Sequence, residues 1–407
     1  MRMRSKEFRS LVTSLARAGE EQEPRCPHTT MCGGCAFQDR RYSDQVAAKA
    51  EALNRLFASA EQLAPCLPAQ PLEVVASPDP YAYRTRMDYV ATKGRFGLRA
   101  RGKFNYIVEL ETCHLIPPAA FAAAKTIWIS ATELGLPDYN LRTHEGFLRY
   151  VVVRRSPSDT LLLAVVTAEG AQYEPAMHAL AQIALAQPGV VGFHWLLNAS
   201  RTDLSFGTPV RSWGSETLLM RAGATELAIG PNTFFQNNVH LLERLLDDVR
   251  DAVIAAAVPG QALPTVGDLY GGVGTLALHL ASHAANVMCV EAVAESAVLA
   301  ARNAEAHGVT NVQAFAQEVL PFLQSSEASQ LDLVVADPPR TGLGPEVCAE
   351  LLRLAPARIV YVSCNPLTQI EDLQVLTRRY RVERMQGYDM FPHTPHVETM
   401  AILDLSA

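Results

Sequence analysis

Val266-Gly-Asp-Leu-Tyr270-Gly-Gly-Val-Gly274 reads as a buried strand that runs directly into a glycine-rich turn. A helix is expected from the turn to about Ser282. Such a turn at a strand's carboxyl end lets a ligand approach the backbone closely. The rhythm then repeats. Residues 286–290 read as a strand ending at Glu291, and 293–307 as a helix. Further strands are expected near 312–315, at 331–336, at 359–362 and at 399–403, with a helix near 345–354. Strands alternating with helices imply a parallel sheet with right-handed crossovers. Residues 226–407 are therefore expected to form a Rossmann-like α/β domain.

The chain of 407 residues has room for two or three domains. Hydrophobic residues make up 49% and charged residues 19%, which suits a globular protein. No stretch has the length and apolarity of a membrane span. The basic start from Met1 is followed by no apolar core, so no signal peptide is expected and a cytoplasmic location is the default. Residues 1–71 hold an amphipathic helix, an acidic stretch (Glu20, Glu21, Glu23) and a helix over 38–63, closed by Pro65, Pro68 and Pro71. Residues 72–225 read as an α+β domain. Its strands are expected at 86–92, 94–98, 104–110, 148–154, 160–167 and 190–197, and its helices at 117–134 and 176–187.

A net charge of −7 argues against generic nucleic-acid binding. The distribution is uneven, however. Between Tyr81 and Leu110 stand Arg84, Arg86, Lys93, Arg95, Arg99, Arg101 and Lys103, against only Asp88 and Glu109. That segment is either a solvated hairpin face or a footprint for phosphates.

Of the eight cysteines, three are clustered as Cys26-x5-Cys32-Gly-Gly-Cys35. A large chain with no secretory signal argues against disulfides. The spacing points to a metal, with Gly33 and Gly34 allowing the tight fold that converging thiolates require. Cys113 is the favoured fourth ligand, and His28 and His114 are its rivals. Zinc and an iron–sulfur cluster suit such a set equally.

Cys364, in Ser363-Cys-Asn-Pro366, lies just past the expected strand at 359–362. A thiolate there would be a nucleophile, whereas a structural cysteine would simply be buried. Glu291 at the second strand end could accept hydrogen bonds from ribose hydroxyls, as in enzymes that use NAD or S-adenosylmethionine. Asp337-Pro-Pro-Arg340 carries arginine where amine methylation would want an aromatic residue. His393-Thr-Pro-His396-Val-Glu398 could be a metal site, but Glu398 as a base paired with Cys364 is the sharper reading.

Phe234-Phe235-Gln236-x-Asn238, Asp268-Leu-Tyr-x-Gly-x-Gly274, Asp337-Pro-Pro-Arg340, Ser363-Cys364-Asn-Pro366 and His393-x-x-His396-x-Glu398 together resemble the RNA uracil-C5 methyltransferases. The resemblance spans roughly residues 26–403. It implies Cys364 as nucleophile and Glu398 as base. Gln236, Glu291 and Asp337 would lie around S-adenosylmethionine and the target base, with Asn238, Tyr270 and Gly272 on or beside the cofactor motifs. Gly271 departs from the cysteine that many members carry there. The cysteine set is similar to that of members holding a [4Fe-4S] cluster, which favours iron–sulfur over zinc at Cys26, Cys32, Cys35 and Cys113. Cluster-bearing members that lack a small N-terminal barrel act on 23S ribosomal RNA, so that substrate is expected, with the transfer-RNA T-loop as the alternative. The partner would be a structured RNA with an accessible uridine, with no membrane and no obligate protein partner. A non-catalytic iron–sulfur RNA-binding protein and an NAD oxidoreductase are the readings from other classes.

Overall fold

The computed structural model describes residues 3–256, 260 and 262–406, apart from the side chain of residue 104. The first two residues of the basic start therefore lie outside the described part. One sheet has eight strands in the order Val74–Val75, Tyr380–Tyr388, Glu398–Leu405, Arg358–Ser363, Leu333–Ala336, Thr265–Leu269, Asn286–Glu291, Val312–Ala316. The last five are parallel, as the alternating rhythm requires. Glu398–Leu405 runs antiparallel to both of its neighbours. The strand order reverses at Thr265–Leu269, so the carboxyl ends of Thr265–Leu269, Asn286–Glu291, Leu333–Ala336 and Arg358–Ser363 open on a common crevice.

The strand period of two sorts the core. Ile359 and Tyr361 enter one apolar layer, with Ala401 and Leu403 beside them. Val360 and Val362 enter the opposite layer, with Met400 and Ile402. Each large apolar side chain so buried stabilises the fold by about 1.5–3 kcal/mol relative to exposure. The first layer is covered by the N-terminal helices Ser5–Arg17 and Tyr42–Ala58, through Phe8, Val12, Leu53 and Phe57. The second is covered by Leu242–Ile254, whose Leu245, Val249 and Val253 recur at helical spacing.

A buried ion pair fixes the N-terminal helix to the loop before the last strand. Lys49 and Asp389 are both fully buried and bonded to each other. Lys49 Nζ also donates to the Phe391 carbonyl (3.1 Å), and Tyr42 OH donates to Asp389 Oδ2 (2.9 Å).

The second sheet has seven strands, in the order Lys103–Glu109, Arg95–Ala100, Arg86–Thr92, Leu148–Arg155, Leu161–Thr167, Val190–Leu197, Thr208–Gly214. Only Leu161–Thr167 and Val190–Leu197 pair in parallel, because the helix Glu174–Leu185 forms the crossover between them. Leu148–Arg155 is buried along its whole length although it carries three arginines. Arg154 donates to the carbonyls of Gly230 (2.5 Å) and Thr233 (2.6 Å), clamping this sheet onto the segment that leads to Gln236.

The structure corrects the sequence reading in several places. The second N-terminal helix spans Tyr42–Ala58 rather than 38–63, since residues before it form the loop that holds Cys26, Cys32 and Cys35. Helices Leu242–Ile254 and Pro366–Leu376, the strand Tyr380–Tyr388 and the hairpin Leu218–Ala222/Thr225–Ile229 were not anticipated. The fold class is Rossmann-like α/β with two mixed sheets, without the expected iron–sulfur segment. Cys26, Cys32, Cys35 and Cys113 are free and buried. They lie within electrostatic reach of one another. Yet among the described residues no three His, Cys, Asp or Glu side chains are grouped to hold a metal ion. Burial pushes Cys32 up to about 11 and Cys35 up to about 12, and raises Cys113. The [4Fe-4S] assignment is withdrawn because no group that could hold a metal ion is found among the described residues. Among the described residues no helix is long and apolar enough to cross a membrane.

Candidate active site

Cys364 follows the last residue of Arg358–Ser363, and Glu398 opens the antiparallel strand beside it. Ser363 pairs with Thr399, so the next step outward sets Cys364 opposite Glu398. An antiparallel strand begins where its parallel neighbour ends, which is how two groups 34 positions apart in sequence come together. Asp337 stands at the end of the adjacent Leu333–Ala336, and Gln236 Nε2 donates to its Oδ2 at 2.9 Å. Arg340 follows in the same loop. Its carbonyl accepts from Asn365 Nδ2 (2.8 Å), which fixes that loop against the cysteine's own turn.

The electrostatics follow from crowding acids at a dry mouth. Burial first, then the Glu398 and Asp337 carboxylates, push the Cys364 thiol up to about 12, while Arg340 pulls it down. Burial and Asp337 raise Glu398 well above the carboxylate range, again opposed by Arg340. Burial carries Asp337 up to about 7, with the Gln236 hydrogen bond opposing it. Two neighbouring buried carboxylates cannot readily ionise together, so this pair favours holding a proton. His396 is pushed down to about 4 by burial and Arg340, and is neutral. His393 is buried, pushed down to about 3, and its ring nitrogens find no protein partner. The metal reading of His393, His396 and Glu398 has no support among the described residues.

Beside this mouth lies the glycine-rich turn. Tyr270 holds φ +62°, and Gly272 and Gly274 hold +56° and +84°. The tyrosine's left-handed backbone stores strain of the kind found at ligand clamps. A Cβ at Gly272 would point into open space, so the backbone there is bare to an incoming ligand. Glu291 Oε2 accepts from Gly272 N (3.0 Å) and Oε1 accepts from Val293 N (2.7 Å), leaving each oxygen a lone pair for a hydroxyl. Asp268 Oδ2 accepts from Ala277 N (2.9 Å), and its Oδ1 is buried without a protein partner. A cleft lined by Phe234, Gln236, Tyr270, Gly272 and Asp337 joins this turn to the thiol's side of the sheet. A bare glycine cradle and a carboxylate at the second strand end fit S-adenosylmethionine.

The family model described as tRNA (Uracil-5-)-methyltransferase matches residues 215–405. The tRNA (uracil(54)-C(5))-methyltransferase of Pyrococcus abyssi is 33% identical, over 93% of this chain and 85% of its own. The chain belongs to the RNA (uracil-C5) methyltransferases. An uncharacterized RNA methyltransferase of Nitratidesulfovibrio vulgaris is 34% identical, over 96% of this chain and 84% of its own. The crystal structure of the Pyrococcus abyssi enzyme in complex with S-adenosyl-L-homocysteine superposes with a TM-score of 0.73 at 30% identity, covering 91% of this chain and 86% of that one. The chain is an S-adenosylmethionine-dependent RNA (uracil-C5) methyltransferase. The expectation of a 23S ribosomal RNA enzyme with an iron–sulfur cluster is overturned. The relatives named by substrate, from Pyrococcus abyssi and Pyrococcus horikoshii, are transfer-RNA enzymes, and no metal-binding group stands among the described residues.

The fold gathers Gln236, Asp337, Cys364 and Glu398 at one mouth and sets Tyr270, Gly272 and Glu291 along the neighbouring turn. Cys32, Cys35 and Cys113 pack in the apolar layer of the seven-stranded sheet, beside Leu98 and Leu115, with Cys26 within electrostatic reach. Asn238 faces away from the turn. Its Oδ1 accepts from the backbone of His240 (3.0 Å) and Leu241 (3.2 Å), and its Nδ2 donates to Ser77 Oγ (3.1 Å). Sequence reading undervalued Arg340, the cation that lowers both the thiol and the base, although its place after Asp-Pro-Pro marked it. It also passed over Arg9, which lines the cavity containing Cys364 from a helix over 300 residues away in sequence. No local pattern announces such a contact.

Proposed function

We propose that the chain methylates C5 of uridine 54 in transfer RNA, in the cytoplasm, with Cys364 as nucleophile and Glu398 as base. The observation that carries this is the apposition of the thiol and the glutamate at the strand ends beside Asp337 and Gln236. Uracil C5 is a poor nucleophile. The Cys364 thiol releases its proton to solvent, and addition of the thiolate to C6 makes an enolate that is nucleophilic at C5. When bound, S-adenosylmethionine supplies an electrophilic methyl group. Glu291 and the backbone at Tyr270 and Gly272 would hold its nucleoside, and Asp337 and Gln236 would orient the groups that meet between the turn and the thiol. Once C5 carries both a methyl and a proton, the Glu398 carboxylate takes the proton, and elimination returns the electron pair to Cys364. Burial makes Glu398 a stronger base once it is ionised.

In this reading residues 226–407 carry the transfer and residues 72–225 the RNA-facing surface. The target base must leave its stack, which costs a few kcal/mol and is least costly in a loop. The transfer-RNA reading rests on the relatives' substrates. Its test is transfer of labelled methyl to unmodified transfer RNA and, in parallel, to unmodified 23S ribosomal RNA. Label in transfer RNA that disappears when U54 is replaced by C is expected. Label confined to ribosomal RNA would overturn the substrate.

A further inference from the structure

We propose that Phe206 is a stacking platform for an unpaired nucleobase neighbouring the target uridine, and so a substrate-positioning residue for the RNA methyltransferase reaction. Phe206 is 46% exposed. The Arg86 guanidinium lies over its ring at 4.3 Å from the centroid. That guanidinium is itself immobilised. It donates to Asp88 Oδ1 (2.8 Å), the Pro231 carbonyl (2.9 Å) and the Ser205 carbonyl (3.0 Å). The loop around Phe206 is pinned on both sides. Asp203 accepts from Arg99 and Tyr150, and Ser205 Oγ donates to Asp88 Oδ2 (2.9 Å). Asn232 Nδ2 donates to the Gly207 carbonyl (2.8 Å), coupling the loop to the segment that carries Gln236.

An aromatic ring with a fixed cation over one face and nearly half of its surface exposed suits a flat aromatic ligand, since much of the ordering cost is already met by the fold. Its location decides which ligand. Phe206 lines a groove of about 710 Å³ that runs between the seven-stranded sheet and residues 394–396. The smaller cavity around Cys364 shares Arg9, Pro395 and His396 with that groove, so the platform and the thiol lie along one continuous surface. Arg9, Arg84, Arg99 and Arg101 line the groove against Asp88 and Asp203, and this excess of cations over acids suits phosphates. Single-stranded RNA is recognised by stacking its splayed bases on aromatic rings while cations meet the backbone. The occupant is therefore the RNA strand flanking the flipped uridine, not a protein segment.

The experiment compares the full chain with Phe206→Ala and Phe206→Trp in methyl transfer to transfer RNA. It also measures binding of a single-stranded uridine-containing 12-mer with 2-aminopurine placed at successive positions around one uridine. The alanine variant should raise KM for RNA on the order of 10-fold. KM for S-adenosylmethionine should be unchanged, and the tryptophan variant should restore the wild-type value. One 2-aminopurine position should be quenched by the wild-type chain and not by the alanine variant. Equal RNA affinity in all three proteins, or no quenching difference at any position, would overturn the proposal. Absence of transfer to transfer RNA by the wild-type chain would overturn the substrate reading instead, and the 12-mer would still decide the platform.

Discussion

Cys364 and the group of Cys32, Cys35 and Cys113 are all thiols whose protons burial holds tightly, yet their surroundings are opposite. Cys364 is half-buried at an open mouth, with two carboxylates and Arg340 acting on it. Cys32 accepts from Gly34 N at 3.4 Å, and Cys35 from Gln38 Nε2 at 3.7 Å, with no carboxylate among the groups acting on either. At the mouth, groups stand ready to take and return a proton. In the apolar layer, the thiols act as small apolar side chains that join the N-terminal loop to the seven-stranded sheet. A raised thiol pKa alone does not separate a nucleophile from a structural cysteine. The neighbours do.

The comparison can be broken most sharply by exchanging function between the two groups. Cys364→Ala should lower methyl transfer by on the order of 10⁴-fold or more, with S-adenosylmethionine binding retained, because no other group can form the adduct. Equilibrium dialysis with the cofactor and a turnover assay check both halves. Glu398→Gln should slow turnover by roughly 10²–10⁴-fold and trap protein on RNA, visible as a shifted band on a denaturing gel. Addition still proceeds there while proton removal stalls. Lys49→Met tests whether the mouth depends on the ion pair behind it. Leaving Asp389 buried without its cation should cost about 3–5 kcal/mol of stability, read from denaturant unfolding. Cys32→Ser should leave kcat unchanged and cost about 1–3 kcal/mol, since a buried hydroxyl replaces a thiol that needs little hydrogen bonding. A large fall in kcat with stability intact would erase the contrast between apolar layer and mouth.

The smallest expected effect is a shift along the pH axis. Glu398 must be ionised to take the C5 proton, and its folded pKa is raised, so turnover should climb as pH rises through that pKa. Asp337→Asn removes a negative neighbour, lowers the Glu398 pKa and should move the acidic limb of the profile to lower pH. An acidic limb that stays in place would mean that another group sets it.

The parallel sheet was legible because its strands are short β-branched runs closed by glycine or proline, and its ends carry the residues proposed to do the chemistry. The apposition of Cys364 and Glu398 could be anticipated for the same reason. Spacing misled at Cys26, Cys32 and Cys35. The interval did bring the thiols within electrostatic reach of one another, but no group that could hold a metal ion is found among the described residues. The basic stretch was also misread in part. Arg86, Arg99 and Arg101 spend their guanidinium groups on Asp88, Asp203 and backbone carbonyls, so formal charge overstated the solvated face. Lys49 and Asp389 lie 340 residues apart, beyond what local pattern can reveal. Leu242–Ile254, by contrast, did carry its signal in Leu242, Leu245, Leu246 and Val249.

The central claim is that Cys364 is the atom that joins enzyme to RNA. It is tested most directly by incubating the chain with S-adenosylmethionine and a transfer RNA containing 5-fluorouridine, then mapping the adduct by mass spectrometry. Fluorine at C5 cannot leave as the proton does, so the account predicts a methylated fluorouracil bonded to the Cys364 peptide. An adduct on any other residue, or none while ordinary transfer RNA is methylated at full rate, would contradict it.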